Sequence, residues 1–168
     1  MSGAANPKTG LRPFLAEDAP VVAAIFRAAI EELTEDDYNP AQQEAWASVA
    51  DDEKEFGEKL GKALTLIATF DGAPVGFASL ENNTIVDMLY VHPAATGRGV
   101  AATLYDAIEK LATARGATEL KVQASDTARE FFARRGFVAQ QRSTLSVGNE
   151  WLGSTLMKKA LAAKGAAS

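Results

Sequence analysis

The stretch Leu89-Tyr90-Val91-His92-Pro93-Ala94-Ala95-Thr96-Gly97-Arg98-Gly99-Val100-Ala101 decides how this chain folds. Its first residues close an apolar run, Thr84 to Val91, that reads as a strand. Beyond it Val100, Leu104, Ile108 and Leu111 recur at helical spacing, and Gly116 marks the stop. The joint between them carries two glycines separated by one residue, which lets the backbone turn tightly with no Cβ in the way. The helix behind leaves its first amides unpaired at the positive end of its dipole. This combination predicts a cradle for an anion, and first of all for phosphate.

Outward from the cradle, Glu119 to Ala124 forms the next strand, so strand, loop, helix and strand make one βαβ unit. Upstream, Leu64 to Phe70 and Pro74 to Leu80 flank Asp71-Gly72 as an antiparallel hairpin, and Glu81-Asn82-Asn83 turns the chain into the Thr84 strand. The result is a meander of three strands. Nearer the start, Leu11 to Phe14 can be a strand, and Glu17, Asp18 and Pro20 open a helix carrying Val22, Ile25, Phe26, Ala29 and Leu33. Asn39-Pro40-Ala41-Gln42 is a second helix start, with Asn as cap, and that helix carries Trp46. A short helix, Thr127 to Arg134, leads to a last hairpin, Phe137 to Val147 and Glu150 to Lys159, turning at Gly148-Asn149.

A chain of 168 residues with no internal repeat or linker reads as one domain over 1–168, with 1–9 and 160–168 expected to be flexible. The chain has no cysteine and one histidine, His92, which excludes thiolate nucleophiles and multi-histidine metal sites, and no metal is expected. Seventeen basic residues stand against 22 acidic ones, a formal net charge of −5, so no global field favours nucleic acid or an anionic membrane. No apolar run approaches the roughly 20 residues of a membrane span, and a cytoplasmic location is expected.

Two rival readings of the glycines fail. Gly97-x-Gly99-x-x-Ala102 fits a dinucleotide fingerprint, but that motif follows its strand directly inside a series of parallel units. Here residues 92–96 intervene and the upstream strands are joined by hairpins. A P-loop fails because no Gly-Lys-Ser/Thr follows.

The residues LYVHPAATGRGVA resemble the signature of the GNAT superfamily of acyl-CoA-dependent N-acyltransferases. Gly99 and Ala101 occupy its small positions, and Thr96 stands where the family prefers Arg or Gln. The LRPF start, the VGFASL strand and the FFARRGF segment fall in family order. The resemblance implies an α/β fold with a central, mostly antiparallel mixed sheet of about seven strands, splayed at one parallel pair, with helices on both faces. It implies transfer of an acetyl group from acetyl-CoA directly to a primary amine of a small molecule in a ternary complex. The alternative is a non-catalytic acyl-CoA-binding or sensing module. The implied partners are acetyl-CoA and the amine, and the family admits a homodimer.

Carried over residue by residue, the resemblance puts pantetheine against backbone at Leu89, Tyr90 and Val91. The diphosphate falls on Thr96, Gly97, Gly99, Val100 and Ala101, with Arg98 either a charged contact or a solvated arginine. Leu89 N–H is the donor to the oxyanion. Asp87 shares strand parity with Leu89 and Val91, and is either the base or a paired structural carboxylate. The usual family Tyr is Phe132 and the preceding Asn is Ser125, so Ser125 can contact and Phe132 pack against pantetheine, and Tyr38 and Tyr90 are each either a candidate acid or a buried structural tyrosine. His92 reads as a turn residue. For the acceptor, Glu31 and Glu35 in an acidic run, with Tyr38, Trp46 and Trp151, can attract and stack a cationic amine; the acidic run is otherwise a solvated helix end, and Trp151 otherwise packs the hairpin.

Overall fold

A computed structural model describes residues 8–162. Residues 1–7 and 163–168, the greater part of both stretches expected to be flexible, lie outside the described residues. Within those stretches, however, Thr9 pairs with Phe70 and Ala160 with Glu119 as strand residues.

Seven strands form one sheet in the order β1-β2-β3-β4-β5-β7-β6. They are β1 (Thr9–Pro13), β2 (Leu64–Phe70), β3 (Ala73–Glu81), β4 (Ile85–Val91), β5 (Glu119–Ser125), β6 (Val138–Val147) and β7 (Glu150–Ala160). The β2–β3 hairpin turns where Asp71 and Gly72 both take positive φ, +49° and +89°, the hand that the twist of paired strands requires. Every neighbouring pair is antiparallel except β4 and β5, which run parallel and share only the registers Ile85↔Lys121 and Val86↔Val122. Past Val86 the two strands part.

Among the described residues five α-helices cover the sheet: α1 (Ala19–Leu33), α2 (Pro40–Ala47), α3 (Glu53–Lys62), α4 (Val100–Ala114) and α5 (Arg129–Arg134). On one face Leu104, Ile108 and Ala112 of α4 are buried against Ala78, Leu80, Val86 and Leu120. On the other, Phe26 and Ile30 of α1 and Phe56 and Leu60 of α3 are buried against Ile67, Phe77 and Met88. The expected second helix start is a full capping box: Asn39 Oδ1 accepts from Gln42 N–H, and Gln42 Oε1 accepts from Asn39 N–H, both at 2.9 Å. The strand expected over Leu11 to Phe14 instead runs Thr9–Pro13, and the short helix expected from Thr127 starts at Arg129.

One irregularity sets the placement of Asp87. Ser79 pairs with Met88 but Leu80 pairs with Val86, so Asp87 is an extra residue, a β-bulge. Side chains two apart should share a face. Across the bulge they do not: Val86 packs with the α4 side and Met88 with the α1 and α3 side.

Candidate active site

The glycine loop has the backbone geometry that its sequence predicts. β4 ends at Val91, and His92 caps a 3-10 turn, Pro93–Ala95, through Nδ1, which accepts from Ala94 N–H at 3.0 Å. His92 is thus the turn residue its sequence context suggests. Thr96 Oγ donates to Pro93 O, and Gly97 and Gly99 follow at φ +78° and +80°. A Cβ at either glycine would meet nothing within 4 Å, so glycine is there for the left-handed backbone and not for space. Thr103 N–H is bonded to Gly99 O, which leaves the amides of Val100, Ala101 and Ala102 without intrahelical acceptors. They head a cavity of about 450 Å³ bounded by Thr96, Gly97, Gly99, Val91 and Phe131. Arg98 is exposed and does not line this cavity; its guanidinium sits 5.8 Å from the Phe70 ring centroid.

The parting of β4 from β5 opens a second cavity of about 170 Å³, between residues 86–91 of β4 and 122–125 of β5, capped by Leu33 of α1 and Trp46 of α2. Backbone pairing decides which groups face it. His92 N–H bonds Val75 O, so in an alternating antiparallel ladder Phe77–Tyr90 is the next bonded pair. Gly76–Val91 and Ala78–Leu89 are the wide pairs. The N–H and C=O of Leu89 and Val91 therefore point away from β3 into the gap, beyond the last β4–β5 register. The two cavities meet at Leu33, Leu89, Val91, Thr127, Ala128 and Phe132, which line both.

The bulge corrects the placement of Asp87. Its carboxylate lines the β4–β5 cavity, but it lies 3.2 Å from Lys59 Nζ of α3, on the face opposite Leu89 and Val91. Strand parity failed there because an extra residue reverses it. Lys59 was not singled out from the sequence, although Asp52, Phe56 and Leu60 carry a cap and a helical repeat that would have found α3.

Tyr38 is buried, with its hydroxyl donating to Gly153 O at 2.6 Å and accepting from Asp126 N–H at 2.9 Å. That proton is committed to a backbone carbonyl, which counts against Tyr38 as an acid. Tyr90 lines the β4–β5 cavity among Phe26, Phe77 and Trp46. Burial raises its phenol well above the ordinary value of 10.0, opposed by the Trp46 indole. Its hydroxyl proton is therefore harder to give up than that of a solvated phenol.

Ser125 lines the gap and its Oγ accepts from Ala128 N–H at 3.1 Å. Phe132, 2% exposed, forms the wall between the cavities and packs on Tyr105 and Phe137. Of the acceptor residues expected, Trp46 lines the gap. Glu31 instead lines a separate surface hollow with Arg27 and Asp51, Glu35 is exposed, and the side chain of Trp151 is 63% exposed while its carbonyl accepts from Gln42. Glu31 and Glu35 are exposed, while Asp37, farther along the acidic run, accepts a hydrogen bond from Thr127. Among the described residues no group of three or more His, Cys, Asp or Glu could hold a metal, and no helix is long and apolar enough to cross a membrane.

A mixed sheet splayed at one parallel pair, with a glycine cradle heading the helix after the splayed strand, defines a class of acyltransferase enzyme. Residues 34–161 match the Acetyltransferase (GNAT) domain model, and the chain belongs to the GNAT acetyltransferase family. It is 34% identical over 148 residues to the protein described as uncharacterized N-acetyltransferase YafP of Escherichia coli (strain K12), covering 88% of this chain and 93% of that one. The crystal structure of a GCN5-related N-acetyltransferase from Rhodopseudomonas palustris superposes with a TM-score of 0.90 at 59% identity, over 95% of this chain and all of the other. The PaiA N-acetyltransferase of Thermoplasma acidophilum, solved in complex with coenzyme A, shares the fold at TM-score 0.75 and 18% identity, covering 92% and 99% of the two chains.

Proposed function

We propose that the protein transfers an acetyl group from acetyl-CoA directly to the primary amine of a small molecule, both substrates being held together. The observation that carries this reading is the continuity of the two cavities, with amides at 100–102 that have no intrahelical acceptor in one and the unpaired edge of Leu89 and Val91 in the other. The residues present fit the cosubstrate: helix N-terminal amides suit a diphosphate, and a free strand edge suits the amides of a pantetheine arm. Acetyl-CoA supplies the activated thioester.

Leu89 N–H is the donor for charge developing on the carbonyl oxygen, a preorganised contact that costs no reorganisation. Asp87 is the carboxylate for the acceptor ammonium; it takes the proton directly or through one water. Trp46 and Tyr90 give the amine an aromatic wall. With no cysteine in the chain, no cysteinyl acyl-enzyme can form, which favours direct transfer.

A second reading, an acyl-CoA-binding module without turnover, is favoured by one observation: Phe132 occupies the position of the family tyrosine, and the Tyr38 hydroxyl is spent on backbone. Amide hydrogen exchange with and without acetyl-CoA tests the shared part of both readings, with slowing expected at 89–91 and 100–102. No slowing at either segment overturns both. Acceptor-dependent release of coenzyme A separates them.

A further inference from the structure

The segment 34–39 between α1 and α2 starts beside the throat where the two cavities meet, with Leu33 lining both and Thr34 lining the β4–β5 cavity, and side chains tie it to the turn after β5 and to β7. Thr127, which lines both cavities, donates through Oγ to Asp37 Oδ2 at 2.8 Å. One residue on, the Tyr38 hydroxyl joins Asp126 N–H to Gly153 O, bridging the end of β5 and the middle of β7. Asp126 is itself fixed by Arg142, whose two terminal nitrogens meet its two oxygens at 2.5 and 3.0 Å. The ion pair packs closely on Gly153: a Cβ there would meet Arg142 Nη2 and come within 3.2 Å of Asp126 Oδ2.

We propose that Tyr38 is a positioning residue: its hydroxyl pins segment 34–39 as a strap beside the throat and holds the turn 125–128 in the shape that receives the pantetheine arm. This rests on the acetyl-CoA reading above. The Tyr38 side chain lines neither cavity; it acts through the Asp126 amide and the turn that follows. Removing the hydroxyl takes this partner from a part-buried N–H and C=O, which loosens one wall of the throat while the Gly97–Ala102 cradle keeps its contacts.

Calorimetric titration of wild type and Tyr38→Phe with two probes tests this: coenzyme A, and adenosine 3′,5′-bisphosphate, its nucleotide end without the arm. Tyr38→Phe is expected to bind coenzyme A roughly tenfold more weakly, with the bisphosphate changed by less than about twofold. Amide exchange at Asp126, Thr127 and Ala128 is expected to quicken by roughly tenfold or more, with the β2–β3 hairpin unchanged. Equal loss for both probes marks general damage and overturns the proposal, as does unchanged affinity for coenzyme A or unchanged exchange at Asp126. Should Tyr38→Phe fail to fold, Thr127→Val decides by the same pair of titrations: selective loss supports the strap, and none overturns it. If wild type does not bind coenzyme A, the acetyl-CoA reading fails and the strap's role falls with it, an outcome distinct from a variant that binds like wild type.

Discussion

Asp87 Oδ2 lies 3.2 Å from Lys59 Nζ because the bulge in β4 turns the carboxylate towards α3 and away from the face of Leu89 and Val91. The pair is partly exposed, 25% for Asp87 and 48% for Lys59, so solvent screens it. Breaking it with Lys59→Met is expected to change stability by no more than about 1 kcal/mol. Asp87→Asn is expected to lower turnover by roughly 10²-fold while leaving the affinity for coenzyme A intact. Steady-state kinetics beside calorimetry check this; full activity in Asp87→Asn removes it from proton transfer.

Gly99 caps α4 in the left-handed conformation, and an alanine there meets no neighbour, so the substitution isolates backbone strain. Gly99→Ala is expected to cost roughly 1–2 kcal/mol. That corresponds to a fall in Tm of about 2–8 °C, at roughly 2–4 °C per kcal/mol for a chain this long. Affinity for coenzyme A should fall with it, because relief of the strain re-aims the amides of 100–102. A variant with wild-type Tm and affinity would show that the loop conformation is not needed.

Phe132 is buried between the cavities, where a phenol can be introduced with little change of volume. Phe132→Tyr is expected to fold, to bind coenzyme A as wild type does, and to raise turnover if protonation of the departing thiolate limits the rate. Phe132→Ala, by contrast, leaves a hole in the cluster with Tyr105 and Phe137 and should cost about 3–5 kcal/mol. Denaturant unfolding and kinetics on the two variants read these effects separately.

Asp18 gives an acid-dependent contribution to stability. Its carboxylate accepts from both Arg12 terminal nitrogens and from Leu15 N–H, each at 2.8 Å, and the Arg12 hydrogen bonds hold it below its ordinary 3.8 against the cost of burial. Because the folded value lies below the unfolded one, the stabilisation is complete above pH 3.8 and is lost as pH falls through the lower folded value. Unfolding free energy measured against pH should therefore drop less steeply in Asp18→Asn than in wild type over that acid range. Parallel curves would contradict this.

The elements nearest the site were legible because their signals are local. Asp71-Gly72 and Gly97-x-Gly99 demand positive φ, and Asn39 to Gln42 spells out a capping box, so each structure follows from a few adjacent residues. What was not legible depends on partners distant in sequence. Nothing around Asp87 announces a bulge, which exists only because Leu80 pairs with Val86 while Ser79 pairs with Met88. Likewise Tyr38 reads locally as an aromatic beside carboxylates, and its role is set by Gly153, 115 residues away. Glu31 and Glu35 follow the simpler rule that a charged helix end faces water.

The most direct test of the central claim is incubation of the protein with acetyl-CoA and a panel of small amines, with products identified by mass. The expected result is an N-acetylated amine formed together with an equal amount of free coenzyme A, dependent on protein and on that amine. Tight binding of acetyl-CoA with no amine acetylated across the panel would contradict catalysis and leave the chain as an acyl-CoA-binding module.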